Sequence, residues 1–417
     1  MDSRLSNRSV IVIGGGVVAR CCALSLRRQG VTVTLLAIPD EYPASYGNAG
    51  HIATEQVDPL SQWSMLASMP FMLFPKGPIS LNFRDIGVWL PWSVRFLRAC
   101  FPGQAARGSK ALRWLQSDAL AAWERLDQCL SEGEGGKSVL VRDGTKKIWE
   151  GKDSAQRAET ALRANYGAVT ARPMTADECH AITSALNMSI VAGVYYDETA
   201  HVTSPSDVLV QLARRFREMG GIWRDGTATR IAPDERGVSV STSEGQLRAD
   251  DVILAGGVTS GRILTGLKIP IIAERGYHIE WDHGGAYTLP NLVFEDRSMV
   301  VTCFGKRLRA TSFVEFTRAE APPDARKWVH LEHQVRSLGL PVASSFSRWH
   351  GSRPTLPDYL PMMGGIAGMP HVFAAFGHNH LGLTLAPTTA ERMTSLLLKG
   401  DLLPEALSPD RFGIRTV

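Results

Sequence analysis

The first alternation of apolar and polar positions predicts a strand, a tight turn, a helix and a second strand. Residues 9–13 read SVIVI, a short apolar run typical of a strand buried on both faces. Glycines follow at 14–16, and apolar residues then recur at helical spacing until Leu26. Gly30 ends this helix, and residues 31–36 (VTVTLL) form a second buried strand. This order indicates a βαβ unit.

The rest of the pattern mixes helices with short strands. Helical spacing predicts a helix over 109–129 and another over 205–219, the second ended by Gly220. Between 221 and 257, strands alternate with DG, ERG and EG turns. A late helix is predicted over 387–398. The mixture indicates an α/β fold.

Residues 63–101 are rich in Trp, Phe and Met and are interrupted by four prolines. One interpretation is a set of helices packed against the core or lining a substrate cavity. The other is a surface that touches a membrane, because aromatic residues favour membrane interfaces. No apolar run in the sequence approaches the roughly 18 residues of a membrane-spanning helix.

Composition narrows the classes of function. The chain has 417 residues, 44% hydrophobic and 21% charged, as in globular proteins of two or more domains. A net charge of +4 without a dense Lys/Arg block gives nucleic-acid binding little support. The six cysteines are scattered, and their spacing indicates no metal site. Because no export signal precedes Val10, we expect a cytoplasmic protein.

The glycine turn carries the first candidate chemistry. Gly14-x-Gly16-x-x-Ala19 matches the dinucleotide fingerprint, in which bare backbone lets a pyrophosphate approach a helix N-terminus. Gly14, Gly16, Val17 and Val18 are therefore candidate cofactor contacts. The alternative is a tight turn that binds no nucleotide.

Six stretches in one order support a more specific hypothesis. They are GGGVVA (14–19), SYGNAGHI (45–52), VILAGG (252–257), ERGYH (274–278), GSRPTLPDYLP (351–361) and FGHNHLGLTLAP (376–387). On these motifs the chain resembles, nearly end to end, flavin-dependent amino-acid and amine oxidoreductases of the D-amino-acid dehydrogenase type, above all glyphosate oxidoreductase-like members. The resemblance implies non-covalently bound FAD.

The resemblance also implies two domains. A glutathione-reductase-like Rossmann domain that binds FAD is expected to comprise 1–58, 150–265 and 348–417. An α+β substrate domain, with an antiparallel sheet over the flavin, is expected to comprise 59–149 and 266–347.

Elementary chemistry supports two loops as flavin contacts. A reduced flavin carries negative charge near its N1–C2=O edge, and a helix N-terminus stabilises such charge. The helix after GHNHLG offers residues 381–384 for this role, and the glycines of SYGNAGHI let backbone pass under the ring. Together with the resemblance, this predicts contacts at Ser45, Gly47, Asn48, Ala49, Gly50, His51, Ala255, Gly256, Gly257, Gly351, Arg353, Gly377, His378, Leu381, Gly382, Leu383 and Thr384.

Arg353 in the GSRP motif is the predicted anchor for a substrate carboxylate, because a guanidinium binds carboxylates bidentately. The alternative is that Arg353 holds the flavin edge or a nearby carboxylate such as Asp358. Tyr277 and His278 are candidates for orienting substrate, and a purely structural role is their alternative.

His51, His378 and His380 are candidates for tuning or proton handling. A general base is not required if the amine arrives neutral, because hydride then passes from its α-carbon while the nitrogen lone pair forms the imine. A rarer alternative is a covalent bond between His51 and the flavin.

The functional hypothesis is FAD-dependent oxidative deamination of a D-amino acid or a related amino or imino acid. The imine hydrolyses to a keto acid, and electrons pass to oxygen or to a quinone or other carrier. A quinone acceptor implies peripheral contact of residues 63–101 with the inner face of a membrane. The alternatives are a nicotinamide-dependent dehydrogenase and a non-catalytic flavin-binding homologue.

The second strand ends on Ala37, where the resembled family places an acid for the adenosine ribose. Losing that contact costs about 1.5–3 kcal/mol, which weakens FAD binding about 10- to 100-fold. Asp40 or Glu41 is the predicted substitute. The strand is not followed directly by an arginine, which disfavours NADP.

Overall fold

The computed structural model describes residues 8–38, 42–264 and 267–413. Asp40 and Glu41, the predicted ribose contacts, lie outside the described residues.

Strands run through most of the chain. They are β1 (Ser9–Ile13), β2 (Thr32–Ala37), β3 (His51–Ile52), β4 (Ile79–Leu81), β5 (Leu140–Val141), β6 (Thr145–Glu150), β7 (Ala171–Pro173), β8 (Ile190–Tyr196), β9 (Ala200–Val202), β10 (Ile222–Asp225), β11 (Ala228–Asp234), β12 (Gly237–Thr242), β13 (Gly245–Ala249), β14 (Asp251–Leu254), β15 (Ile272–Asp282), β16 (Leu292–Phe294), β17 (Met299–Phe304), β18 (Arg307–Thr317), β19 (Ser347–Thr355), β20 (Met362–Ile366) and β21 (Met369–Phe376).

Helices connect and cover these strands. They are α1 (Val17–Arg28), α2 (Trp63–Ser68), α3 (Ile86–Ala99), α4 (Pro102–Gln116), α5 (Ala119–Ser131), α6 (Ser154–Arg163), α7 (Ala176–Ala185), α8 (Pro205–Glu218), α9 (Ser260–Ile263), α10 (Ala325–Ser337) and α11 (Gly382–Lys399).

The first sheet has the order β10-β2-β1-β14-β21-β20 within the described residues. All its neighbours pair in parallel except β20, which is antiparallel to β21. Val10 and Val12 of β1 pack in a core with helices α1, α8 and α11. Ile11 and Ile13 pack on the other face, against the three-stranded sheet β11-β12-β13. The apolar run 9–13 is therefore buried on both faces, as predicted.

The second sheet has the order β19-β15-β18-β17-β16-β6-β8-β7, with β4 paired to β18. The pairs of β15 with β18 and β19 are antiparallel, and helix α10 packs against β15 and β18. This sheet takes strands from ranges that the sequence analysis placed in the nucleotide domain, namely β7, β8 and β19. The boundaries of the two domains remain a prediction. Because strand pairing joins β7, β8 and β19 to the second sheet, we now assign these three strands to the substrate domain in that prediction.

Two predicted helices differ from the structure. The helix predicted over 109–129 is divided into α4 and α5 by a break at 117–118. The helix predicted from 387 begins at Gly382 and continues through Pro387. Proline removes one helical hydrogen bond, which normally limits a helix. Here the acceptor that it leaves, the carbonyl of Leu383, receives the indole N–H of Trp123 at 3.1 Å.

The aromatic segment 63–101 has one buried and one exposed face. Trp89, Trp92 and Phe96 of α3 are buried, and Trp92 packs against Phe316 and Tyr359. Among the residues that the structure describes, no helix is both long and apolar enough to cross a membrane. The exposed large side chains of the segment, here called the apolar face, are Trp63, Phe71, Leu73, Phe83, Ile86, Val88, Leu90, Val94, Leu97 and Phe101.

Candidate active site

The glycine turn after β1 lies against the end of β14. Gly14 has a φ of 137°, and a Cβ built there would lie 2.4 Å from the carbonyl oxygen of Ala255. Only glycine fits this approach. Helix α1 starts at Val17, whose N–H donates to the Ser45 hydroxyl at 3.1 Å. The ends of two parallel strands, a helix N-terminus and residue 45 thus meet at one edge of the first sheet.

The loop 45–51 then runs across the second sheet. Each main-chain carbonyl from residue 46 to 49 contacts a polar side chain of that sheet. The contacts are Arg309 Nη1 to Tyr46 O (3.0 Å), His278 Nδ1 to Gly47 O (3.1 Å), Arg309 Nη1 to Asn48 O (2.7 Å) and Thr302 Oγ1 to Ala49 O (2.8 Å). The second sheet therefore fixes the loop predicted to pass under the flavin.

Arg309 is the central member of this set. It is 2% exposed and pairs with the carboxylate of Glu280 at 2.8 Å. Burial lowers the pKa of Arg309, and the neighbouring Glu280 opposes that shift. The sequence does not single out Arg309 or Thr302, because neither belongs to a contiguous motif. It also does not show that these two polar side chains are buried.

The first turn of α11 joins the same loop. The hydroxyl of Thr384 accepts a hydrogen bond from the N–H of Ala53 at 3.0 Å, directly after β3. The predicted contact region 381–384 therefore lies at the loop. The ring of His378 is buried and its Nε2 contacts Thr389 within α11 at 2.9 Å, which favours a structural role for this residue.

Arg353 pairs with Glu274 rather than with Asp358. Its Nη1 lies 3.1 Å from Glu274 Oε1 and also donates to the carbonyl of Phe313. Asp358 is instead paired with Arg411 at 2.6 Å. Glu274 is buried, and its ion pair orients the Arg353 guanidinium. Asp358 is therefore not the partner of Arg353, but the pair with Glu274 agrees with the alternative that Arg353 holds a nearby carboxylate.

Beside Arg353, two glycines face each other across the strands. Gly276 of β15 is in register with Gly351 of β19. A Cβ on Gly276 would lie 2.4 Å from the Arg353 guanidinium, and a Cβ on Gly351 would lie 2.0 Å from the Trp349 indole. The bare backbone of Gly276 thus lies under the Arg353 guanidinium and that of Gly351 under the Trp349 indole, and the two glycines together are here called the glycine floor.

Trp349 joins the glycine floor to the loop 45–51. Its ring stacks on His278 with centroids 5.0 Å apart and contacts the position where Gly47 would carry a Cβ. Arg353, the glycine floor, Trp349 and the loop are consequently continuous. The sequence alone does not indicate this role for Trp349, because a single tryptophan in a strand is ordinarily a packing residue.

The candidate histidines near this region are uncharged at neutral pH. Loss of hydration lowers the pKa of His51 to about 4, of His278 to about 3 and of His380 to about 4. A group with so low a pKa is a weak general base near pH 7. His51 Nε2 contacts the Thr302 hydroxyl at 3.2 Å, and His380 Nε2 contacts Gln56 at 2.6 Å. This agrees with a reaction that needs no histidine base.

Tyr277 lies on the opposite face of β15 from His278. Its hydroxyl donates to the buried carboxylate of Glu315, which also pairs with Lys327 at 2.9 Å. Burial, followed by this bond, raises the pKa of Tyr277 to about 12. Alternation turns Tyr277 away from the loop, which favours the structural alternative for this residue.

The match to known families covers nearly the whole chain. A family model described as FAD dependent oxidoreductase (DAO) matches residues 9–396. This chain belongs to that family. The predictions of the family, the α/β fold class, the enzyme class and FAD as cofactor are confirmed. The family match gives the nicotinamide alternative no support.

Individual relatives agree over their full length. A D-amino-acid oxidase of Bradyrhizobium diazoefficiens is 28% identical over 423 residues, which cover 97% of this chain and 99% of that protein. A D-amino acid dehydrogenase of Paramagnetospirillum magneticum is 28% identical over 434 residues, covering 97% and 98%. A solved glycine oxidase from Bacillus cereus superposes with a TM-score of 0.72 at 18% identity, covering 95% of this chain and 96% of that one.

The residues present fit FAD. The close approach at Gly14 and the first N–H groups of α1 form a cradle for a pyrophosphate, because an α-helix leaves its first N–H groups without helical acceptors. The first turn of α11 offers a second helix N-terminus beside the loop 45–51. Which of the predicted residues contact the flavin remains a prediction.

Proposed function

We propose that this FAD-dependent oxidoreductase oxidises the C–N bond of a small amino or imino acid, of which a D-amino acid is the leading candidate. The observation that carries the proposal is the placement of Arg353 and Trp349 side by side on the glycine floor, next to the loop 45–51. The names of the relatives, D-amino-acid oxidase and D-amino acid dehydrogenase, support the substrate class.

Arg353 binds the substrate carboxylate in this proposal. Glu274 holds one edge of the guanidinium at 3.1 Å and receives further hydrogen bonds from Thr355 and Tyr359. A guanidinium oriented in this way can present its other donors bidentately to a carboxylate. The glycine floor lets the side chains of Arg353 and Trp349 lie close against the sheet, and the substrate binds beside these two side chains.

Trp349 packs against the substrate side chain and excludes water. The uncharged histidines place no positive charge that would repel a cationic amine, and the amine reacts in its neutral form. When bound, FAD supplies a hydride acceptor at the flavin N5. The protein residues act mainly by positioning, and the product imine hydrolyses to a keto acid in water.

The test is anaerobic bleaching of the purified yellow holoprotein near 450 nm. The panel comprises D-amino acids, L-amino acids, N-methyl amino acids, cyclic imino acids and glyphosate-like phosphonates. We expect reduction by at least one class, with keto-acid formation after exposure to an electron acceptor. A flavin that no member of the panel reduces contradicts amine oxidation and favours the non-catalytic homologue.

We further propose that the electron acceptor is a membrane quinone, with oxygen as the alternative. The apolar face of residues 63–101 supports a membrane contact, because its aromatic and aliphatic side chains are exposed together. The segment also has exposed cations at Lys76, Arg84, Arg95 and Arg98, and its one acid, Asp85, is buried. Cations beside exposed apolar groups favour anionic lipid.

Co-sedimentation of the holoprotein with vesicles of anionic or neutral lipid tests the membrane contact. We expect binding to anionic vesicles that Leu90→Ser with Val94→Ser weakens. Leu402→Ser is the control, because Leu402 is an exposed leucine outside the segment. Oxygen consumption with substrate, compared with reduction of a soluble quinone, separates the two acceptors. Absence of vesicle binding together with rapid oxygen consumption contradicts the proposal.

A further inference from the structure

The end of β2 has no acceptor side chain for the adenosine ribose. Ala37 is the last residue of β2, and its methyl group faces the glycine turn, 3.5 Å from the position of a Cβ on Gly15. A methyl group accepts no hydrogen bond. The parallel strands β1, β2 and β10 end at this same edge of the sheet, where dinucleotides bind in such folds.

The neighbouring strand brings a carboxylate to this edge. Asp225 is the last residue of β10 and is in parallel register with Ala37. Residues in register on adjacent strands lie on the same face of a sheet, about 4.8 Å apart. Asp225 is therefore displaced by one strand from the position where the acid is missing, and its side chain is exposed.

Trp223 orients this carboxylate. The indole N–H of Trp223 donates to Asp225 Oδ1 at 2.9 Å. A carboxylate has about four lone-pair sites, so this bond leaves it able to accept from a ligand.

Trp223 is in turn fixed to the glycine turn. The guanidiniums of Arg20 and Arg217 lie 5.0 and 4.3 Å from the centre of its ring. Arg20 also donates from Nε to the carbonyl of Gly15 at 2.8 Å and from Nη1 to the carbonyl of Leu209. Asp225 is thus linked through Trp223 and Arg20 to the turn that cradles the pyrophosphate.

We propose that Asp225 accepts the ribose hydroxyls of the FAD adenosine in place of the acid that Ala37 replaces. The proposal rests on the FAD assignment and is independent of the amine substrate. It gives the cofactor a carboxylate from β10, held by an indole, where the family pattern uses the end of β2.

FAD titration of the apoprotein, followed by flavin fluorescence, tests the proposal without any substrate. We expect Asp225→Ala to raise the dissociation constant of FAD about 10- to 100-fold, as for loss of one hydrogen bond to a charged group. Ala37→Glu in the Asp225→Ala protein restores affinity, because it returns an acid to the end of β2. Glu235→Gln, which removes an exposed carboxylate in the β11–β12 turn, leaves affinity unchanged.

Thermal unfolding of the same apoproteins separates a ligand contact from a structural role. We expect Asp225→Ala and the parent apoprotein to unfold at the same temperature. FAD affinity within twofold of the parent overturns the proposal. A loss of affinity matched by a lower unfolding temperature also overturns it, and so does a loss that appears in Asp40→Asn with Glu41→Gln but not in Asp225→Ala.

Discussion

Arg309 donates to the main-chain carbonyl of Asn48 at 2.7 Å, and this bond ties the second sheet to the loop that carries the predicted flavin contacts. Arg307 offers a matched comparison. Both arginines pair with Glu280 at 2.8 Å, but Arg307 is about half exposed and Arg309 is buried. Of these two arginines, Arg309 contacts the carbonyls of the loop and Arg307 does not.

Arg309→Met is expected to loosen FAD. Its loss leaves the partly buried carbonyls of Tyr46 and Asn48 without their donor, and an acceptor that is shielded from water and unsatisfied costs about 1–3 kcal/mol. We expect the FAD dissociation constant to rise at least about tenfold. Arg307→Met keeps the Glu280–Arg309 pair and should retain FAD like the parent. Equal FAD release from both variants, measured by ultrafiltration of the yellow protein, contradicts this role for Arg309.

Arg353→Lys is expected to impair substrate binding and leave the flavin spectrum unchanged. Lysine keeps the charge but loses the bidentate geometry, so we expect kcat/KM to fall about 10- to 100-fold. Asp358→Asn serves as the control, because Asp358 pairs with Arg411. Steady-state kinetics with the best substrate of the panel measure the effect. An unchanged kcat/KM in Arg353→Lys removes Arg353 as the carboxylate anchor.

The parts of the candidate site that could be predicted from the sequence are those formed by the main chain of a short contiguous motif. The glycine turn at 14–16 and the loop 45–52 are contiguous motifs, and the structure brings them together as expected. Arg309, Thr302 and Trp349 escaped prediction because they reach the site through strand register, more than 250 residues along the chain from the loop. A period of two tells which face a side chain takes, not what it meets there.

The orientations of Tyr277, His278 and His378 could not be predicted from the sequence for the same reason. Tyr277 and His278 are adjacent in sequence, yet alternation sends them to opposite faces of β15. His378 lies in a glycine-rich motif but turns into α11. To predict the role of each residue, one would need to know which element packs against its side chain, and a local sequence pattern does not contain that information.

The stability of the protein should fall as pH decreases below neutrality. His278 is buried and has a pKa of about 3, well below the value of about 6.5 for an unfolded histidine. The unfolded chain therefore binds more protons between these values. The stabilisation is complete above pH 6.5 and is lost progressively as pH falls towards 3. For this one residue, the free energy of unfolding drops by about 2 kcal/mol between pH 7 and pH 5.

His278→Asn should remove that part of the pH dependence. Asparagine retains a side-chain N–H for the carbonyl of Gly47 but does not titrate. Urea unfolding of the holoprotein at pH 7 and pH 5 measures the difference. His333→Asn is the comparison, because His333 is exposed on α10. If the two variants lose stability with pH to the same extent, burial of His278 is not the cause.

The bond from Trp123 to Leu383 should be needed only because Pro387 lies in α11. In an uninterrupted helix, the N–H of residue 387 would donate to the carbonyl of Leu383. Trp123 supplies the missing donor from α5, and its ring is fully buried. Trp123→Phe keeps most of the ring and removes the N–H. We expect it to lower the free energy of unfolding by about 1–3 kcal/mol, because a buried carbonyl loses its partner.

Pro387→Ala returns a main-chain N–H to that carbonyl, so Trp123→Phe should cost less in the Pro387→Ala protein than in the parent. A double-mutant cycle by urea unfolding measures this coupling. The indole N–H also donates to the carbonyl of Thr384 at 3.1 Å, so strictly additive effects would mean that the bond to Leu383 does not compensate for Pro387.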